Sequence, residues 1–332
     1  MKPTTVTSAG DRTGWPVRWL YRDYIADPGR LTASVEAVRS RLAPYLRAWE
    51  RHGVYIGMAS WDAVQWIGVL YGGWYHSRTE FVRGSLGEYA ACFRTSCVEM
   101  GPYAPPAVPA LMHLAQQAPL TFAFTATVRD ETLMYRFPYS HPERAKRGER
   151  NEVFLDPSVF EERVLPALAL LGRRVAAVVL RIARIYRTEH YPCTAFLRRL
   201  DALLGALPPA YRYAVDVANP EYLLPDYFDC LRSHGVAHVL RSRLEGRTVL
   251  EEVGHPGALT GKSAVMYAPA AWGEETELAL IGAVRRCCDE ERELYLYLQD
   301  GADPHAPLAM ARMLEALNPE LARLSPIRRR AA

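Results

Sequence analysis

Eight short, strongly apolar runs recur along this chain, most of them separated by longer segments with helical periodicity. They are VYIGMAS from Val54, SCVEM ending at Met100, TFAFTATV from Thr121, VAAVVLRI from Val175, YRYAVDV from Tyr211, VAHVLR from Val236, SAVMYAPA from Ser263 and ELYLYLQ from Glu293. Several show little polar alternation, the pattern of strands buried on both faces. Strand and helix alternating eight times predicts a parallel α/β architecture, a (β/α)8 TIM barrel. An open, doubly wound sheet is the alternative, because periodicity does not show closure. With 332 residues the chain holds one barrel of about 250 residues plus extensions. Apolar residues at 49% and charged residues at 23% supply a full core and exclude global disorder.

The domain reading follows. Residues 1–52 form an N-terminal extension, 53–320 the barrel and 321–332 a basic tail ending in Arg328, Arg329 and Arg330. In the extension, Leu31, Val35, Val38, Leu42, Tyr45, Leu46 and Trp49 fall on one helical stripe, and Gly53 supplies a stop signal. That helix is expected to pack on the barrel; contact with a protein partner is the other use of such a stripe. The start, MKPTTVTSAGDRTGWP, has no apolar signal core, and no apolar run is long enough to span a bilayer. Six cysteines without C-x-x-C spacing fit reduced thiols, so a cytoplasmic protein without membrane contact is expected. A net charge of +3 falls short of a dedicated nucleic-acid footprint.

Two connections are long, 129–157 and 242–262. Each follows a strand, so each would emerge on the C-terminal face, where barrel active sites form. The first carries Arg144, Lys146, Arg147 and Arg150 among Tyr135, Phe137, Tyr139 and His141, and reads as a lid or a solvated basic loop.

Polar side chains at the ends of otherwise apolar strands would ring one opening. They are Glu99, Thr127, Arg181, Asp216, Arg241, Tyr267, Gln299 and Asp300. Glu99 and Asp216 are the candidate general acid/base pair. Arg181 and Arg241 have the fork geometry for a phosphate or carboxylate, and Tyr267, Asn219, Gln299 and Asp300 are further ligand-binding candidates. A rim of ion pairs holding the barrel together is the competing reading. Trp61 and Trp66, in a cluster with Tyr71, Trp74 and Tyr75, suit stacking on a sugar or base, or plain packing. Cys230, His234 and His238 imitate a helical ligand row, but Gly235 breaks the helix between the histidines, and no metal site is assigned. GALTGKS, ending at Ser263, is no phosphate loop: Pro256 stands where a glycine is required, and the segment precedes a strand. The cofactor is left open.

The order of these pieces from about Val54 to Leu317 resembles the YecE-like family, TIM barrels of uncharacterised function. The resemblance rests on IGMASWDAVQWIGVLY, LGEYAACFRTSCVEM ending at Glu99 and Met100, FAFTATV, YRYAVDVANPEYL with Asp216 and Pro220, and LYLYLQDGADPHAPLAMARML. It implies the barrel fold and a pocket at the C-terminal mouth. Polar positions depart from the family pattern. Thr127 stands for a usual lysine, Leu133 and Met134 for a Thr-His pair, Ala218 and Asn219 for an arginine–histidine step, and Gln299 and Asp300 for an asparagine pair. The expectation is a divergent member, a hydrolase or lyase acting on a phosphorylated or sugar-like ligand at the mouth. The alternatives are a non-catalytic barrel serving as a binding or assembly partner, or a nucleic-acid-binding protein using the basic loop and aromatic cluster.

Overall fold

A computed structural model of the chain describes residues 20–103, 106–241, 248–269, 273–299 and 303–324. Eight parallel strands alternate with helices in a (β/α)8 TIM barrel. An N-terminal helix, α1 (Pro28–Arg51), is capped by Asp27 and buries Leu31, Val35, Val38, Leu42, Leu46 and Trp49, the stripe read from the sequence except Tyr45, which is half-buried. Then follow β1 (Val54–Met58), α2 (Arg78–Ala90), β2 (Thr95–Met100), α3 (Val108–Gln117), β3 (Ala123–Val128), α4 (Pro157–Leu171), β4 (Val175–Ile182) and α5 (Cys193–Ala206). The second half comprises β5 (Tyr213–Val217), α6 (Pro225–Ser233), β6 (Ala237–Arg241), α7 (Val249–Gly254), β7 (Ser263–Pro269), α8 (Glu274–Asp289), β8 (Glu293–Gln299) and α9 (Ala306–Leu321).

The hydrogen-bonded order runs β1-β8-β7-β6-β5-β4-β3-β2, leaving β1 and β2 as neighbours without a backbone ladder. Side chains close that seam. The Met58 amide donates to the Tyr89 hydroxyl at 2.7 Å, and that hydroxyl donates to the Thr95 carbonyl at 3.1 Å. Ser96 Oγ donates to the Met58 carbonyl at 3.0 Å. Glycine is required at position 57, because a Cβ there would lie 2.1 Å from the Thr95 carbonyl oxygen.

Strand alternation sorts the side chains into two cores. One lies between the strands and the surrounding helices. The other fills the barrel interior, with Cys97, Val179, Val239, Val265, Tyr267 and Tyr297 among its members. In that interior the Tyr297 hydroxyl meets Thr95 Oγ1 at 2.7 Å and Thr125 Oγ1 at 2.6 Å, so a buried polar layer satisfies itself.

The two long connections differ from their expected form. Within 129–157, Leu133, Tyr135, Phe137, His141, Phe154 and Leu155 are buried, so the segment is packed down rather than hung over the mouth as a lid. Its basic residues serve internal contacts. Lys146 Nζ lies 3.2 Å from Glu131 and 2.7 Å from Glu143, and Arg147 Nε donates to the His141 carbonyl at 2.7 Å. Arg136 Nε lies 2.6 Å from Glu189. The second connection is not all loop: it contains α7, whose start is a capping box between Thr248 and Glu251.

The aromatic cluster after β1 is a clasp. Trp66 is fully buried and donates to the Asp303 carbonyl at 3.0 Å, while the Tyr71 hydroxyl donates to the Trp61 carbonyl. Glu88 ties this region to the extension: it accepts from Arg39 of α1 at 3.0 Å, from the amides of Gly72 and Gly73, and from the Tyr75 hydroxyl. Among the described residues, no helix is long and apolar enough to cross a membrane. Asp300 and the tail from residue 325 lie outside the described residues.

Candidate functional site at the barrel mouth

Period-2 alternation explains how one opening acquires its charges. On β2, Glu99 stands two residues after Cys97, an interior residue. Arg181 stands two after Val179, Asp216 two after Ala214, Arg241 two after Val239, and Gln299 two after Tyr297. Each therefore faces the barrel axis one level above the apolar fill. Neighbouring strands bring Arg181 and Asp216 into direct register, and likewise Arg241 and Tyr267.

The charges form a zigzag around the rim. Arg129 Nε lies 3.0 Å from Glu99 Oε2, and Arg181 Nη1 lies 3.9 Å from Glu99 Oε1. Arg181 Nε then donates to Asp216 Oδ2 at 3.0 Å, and Arg241 Nη1 donates to the same oxygen at 2.8 Å. Three guanidiniums thus alternate with two carboxylates in this row. Arg129, Glu99 and Arg181 of this row line a cavity of about 890 Å³, together with Ser60, Tyr267 and Gln299. A volume of that size is in the range of small-molecule sites.

The two carboxylates have different surroundings. The Glu99 side chain is 49% exposed and opens to the cavity. Asp216 is 1% exposed and sits beneath its two arginines. Burial by itself would lower the Arg181 pKa, but the charges of Asp216 and Glu99 and the neighbouring Tyr267 more than offset it, and the net direction is upward. Arg181 also lies over the Tyr267 ring, 5.3 Å from its centroid. Burial pushes the Tyr267 phenol well above its ordinary range, and its hydroxyl pairs with Thr127 Oγ1 at 3.2 Å. Tyr267 is therefore a neutral floor to the cavity. Thr127 is buried below it rather than lining the opening.

The structure thus brings Glu99, Arg181, Tyr267 and Gln299 to the cavity wall, with Asp216 and Arg241 joined to it through Arg181 and the shared carboxylate. It places three other candidates elsewhere. Asn219 is 2% exposed; its amide donates to the Ile185 carbonyl at 2.7 Å and accepts from the Ile185 amide at 2.9 Å, stapling two loops together. Trp66 is buried in the clasp, and Trp61 lines a separate cleft between α2 and α3. Sequence reasoning missed Arg129 and Ser60. Arg129 directly follows β3, a position whose outward reach from a strand end was its one available signal.

Residues 55–331 match a family described as a protein of unknown function, DUF72. The chain belongs to that family. YecE-like is another name for it, so the resemblance seen in the ordered motifs is confirmed at family level. Among solved structures, a DUF72 family protein from Thermotoga maritima is 17% identical with a TM-score of 0.52, covering 80% of this chain and 99% of that one. A DUF72 family protein from Enterococcus faecalis is 12% identical with a TM-score of 0.51, covering 80% of this chain and 98% of that one. At such identities the likeness speaks for the DUF72 fold alone. No curated protein matches the chain. Helix α1 lies before the first residue of the DUF72 match.

Proposed function

We propose that the barrel mouth is a site for a small anionic ligand, phosphorylated or carboxylate-bearing, and that the chain is a hydrolase or lyase acting on it. The observation that carries this reading is the Arg129–Glu99–Arg181–Asp216–Arg241 row on the rim of the 890 Å³ cavity. A guanidinium oriented from behind by a buried carboxylate presents its remaining N–H groups in a fixed fork, suited to an oxyanion. In this reading Asp216 is the orienting counter-ion of Arg181 and Arg241. Of these two carboxylates, Glu99 is the one open to the cavity and serves as the proton acceptor, which revises the symmetric acid/base pairing with Asp216. The pocket would then be a divergent DUF72 pocket, its chemistry set by this chain's own arginines.

The test is calorimetric binding of inorganic phosphate, sugar phosphates and dicarboxylates to wild type, Arg181→Met and Glu99→Gln. Loss of a charge-assisted hydrogen bond costs about 1.5–3 kcal/mol, so Arg181→Met should weaken binding roughly 10- to 150-fold. Glu99→Gln should keep binding within a few-fold and abolish turnover of the ligand found. Wild-type affinity in Arg181→Met, or full turnover in Glu99→Gln, would overturn the respective assignment.

A further inference from the structure

Far from the mouth, α5 and α6 bring three metal-ligating side chains together. Cys230 and His234 are four residues apart, Cys230 on α6 and His234 as its C-cap, and so share one helical face. Asp201 faces them from α5. His234 Nε2 lies 2.7 Å from Asp201 Oδ1, Cys230 Sγ lies 3.9 Å from the same oxygen, and all three donor atoms are within 4.8 Å of one another. We propose that Asp201, Cys230 and His234 form a site for one borderline-soft divalent cation of the zinc type, clipping α5 to α6.

Three features support it. The donor types are right: one thiolate, one imidazole and one carboxylate make a mixed set that zinc prefers over hard cations. The spacing is close. A tetrahedral ion with ordinary zinc bond lengths separates such donors by roughly 3.4–3.6 Å; the 3.9 Å Cys230–Asp201 separation is near that, and the 2.7 Å His234–Asp201 hydrogen bond has to open as the ion takes the place of its proton. The cluster is also reachable from solvent. The cluster lies in a shallow, open groove of about 450 Å³ bordered by Asp226, Asp229 and Arg198, with room for a water as the fourth ligand. Arg232 is paired with Asp229.

The sequence row of Cys230, His234 and His238 was therefore two-thirds of a constellation. Gly235, at φ 64°, does end the helical run, and His238 turns inward to pair with Glu252 at 2.7 Å. The missing member comes from the preceding helix. Binding is balanced as follows: the cation takes a lone pair from Cys230 Sγ, whose proton goes to buffer, from His234 Nε2, with the ring proton held on Nδ1, and from a carboxylate oxygen of Asp201. In a barrel this end carries stability rather than catalysis, so the ion's role is to hold two outer helices together.

The experiment titrates the metal-stripped full-length protein with Co²⁺ and follows the absorption spectrum. The expected result is saturation at one equivalent, with a thiolate-to-cobalt charge-transfer band and the strong visible bands of a tetrahedral ion, both erased by Zn²⁺. Cys230→Ser should lose the charge-transfer band, whereas Cys193→Ser should keep it. Asp201→Asn and His234→Ala should each weaken binding at least about tenfold while keeping the thiolate band, and both stand as tests should Cys230→Ser fail to fold. No thiolate band in wild type, its survival in Cys230→Ser, or wild-type affinity in both other variants would overturn the site.

Discussion

Asp216→Asn separates the two carboxylates of the rim by their energetics. Asp216 is 1% exposed and accepts from Arg181 at 3.0 Å and from Arg241 at 2.8 Å. Removing one partner of a buried ion pair costs about 3–5 kcal/mol, because the remaining charge is left without its counter-ion. Two features reduce the figure here. The arginine side chains keep 15% and 24% of their exposure and can turn partly to water, and asparagine retains one accepting oxygen. The expected loss is therefore about 2–3 kcal/mol. Glu99 is 49% exposed, and its partner Arg129 is 47% exposed, so Glu99→Gln should cost no more than about 1 kcal/mol. Urea unfolding followed by far-ultraviolet circular dichroism on both variants measures the difference. A double-mutant cycle with Arg181→Met should show coupling: the pair of changes should cost less than the two single losses added, since each removes the same contact. If Asp216→Asn lost under 1 kcal/mol, or if Glu99→Gln lost as much, the division into an enclosed counter-ion and an open acid would be wrong. Additivity in the cycle would refute the Arg181–Asp216 contact itself.

Other parts of the molecule make shorter predictions. At the β1–β2 seam, Tyr89→Phe removes the hydroxyl that serves Met58 and Thr95 and should cost about 1–3 kcal/mol by the same unfolding assay; no loss would mean that the seam closes by other means. Gly57→Ala, which drives a Cβ to 2.1 Å from a carbonyl oxygen, should cost about 3 kcal/mol or more, and near-neutral behaviour would show that the strands part easily. Asn219→Ala should lower stability by about 2 kcal/mol without changing ligand affinity at the mouth; an affinity change would return Asn219 to the site. Burial pushes the thiols of Cys97 and Cys287 from an ordinary 9.0 up to about 12. The folded state thus keeps protons that the unfolded chain releases above pH 9. Stability is intact below that pH and falls by about 1.4 kcal/mol per thiol per pH unit up to pH 12. Melting temperature against pH should decline in that window and less steeply in Cys287→Ala; parallel curves would remove the thiols from the explanation.

The parts of the fold that were legible are those whose signal is local. Each strand announced itself as a short apolar run because it is buried on both faces, and α1 by one stripe from Leu31 to Trp49. Even the rim was legible, since a polar residue ending an apolar strand two places after an inward residue must point to the axis, as Arg181 does after Val179. What stayed hidden depends on neighbours distant in sequence. Asn219 looked like a pocket residue by its place after β5, and only the return of Ile185 beside it makes it a staple. Trp61 and Trp66 offered flat faces suited to stacking, but Trp66 is taken up by the clasp against Asp303, and the Trp61 ring packs edge-on to Phe124 beside a cleft away from the mouth. The basic loop displayed a run of cations, while the acids that pair with Lys146 and Arg136 lie apart from them in sequence, Glu131 and Glu143 ahead of the run and Glu189 beyond the loop.

The same reasoning explains why the rim gave two equal candidates in sequence and two unequal ones in space. Glu99 and Asp216 both end strands, both follow an interior residue and both are acids, so nothing local distinguishes them. Their strands differ in neighbours. Asp216 on β5 is flanked by β4, whose Arg181 is its register partner, and by β6, whose last residue Arg241 stands two positions further along, and two guanidiniums close over it. Glu99 on β2 stands beside the seam, where β1 contributes no charged residue at that level and the wall opens to the cavity. Strand order, not residue type, turns one acid into a support and leaves the other facing whatever the mouth receives.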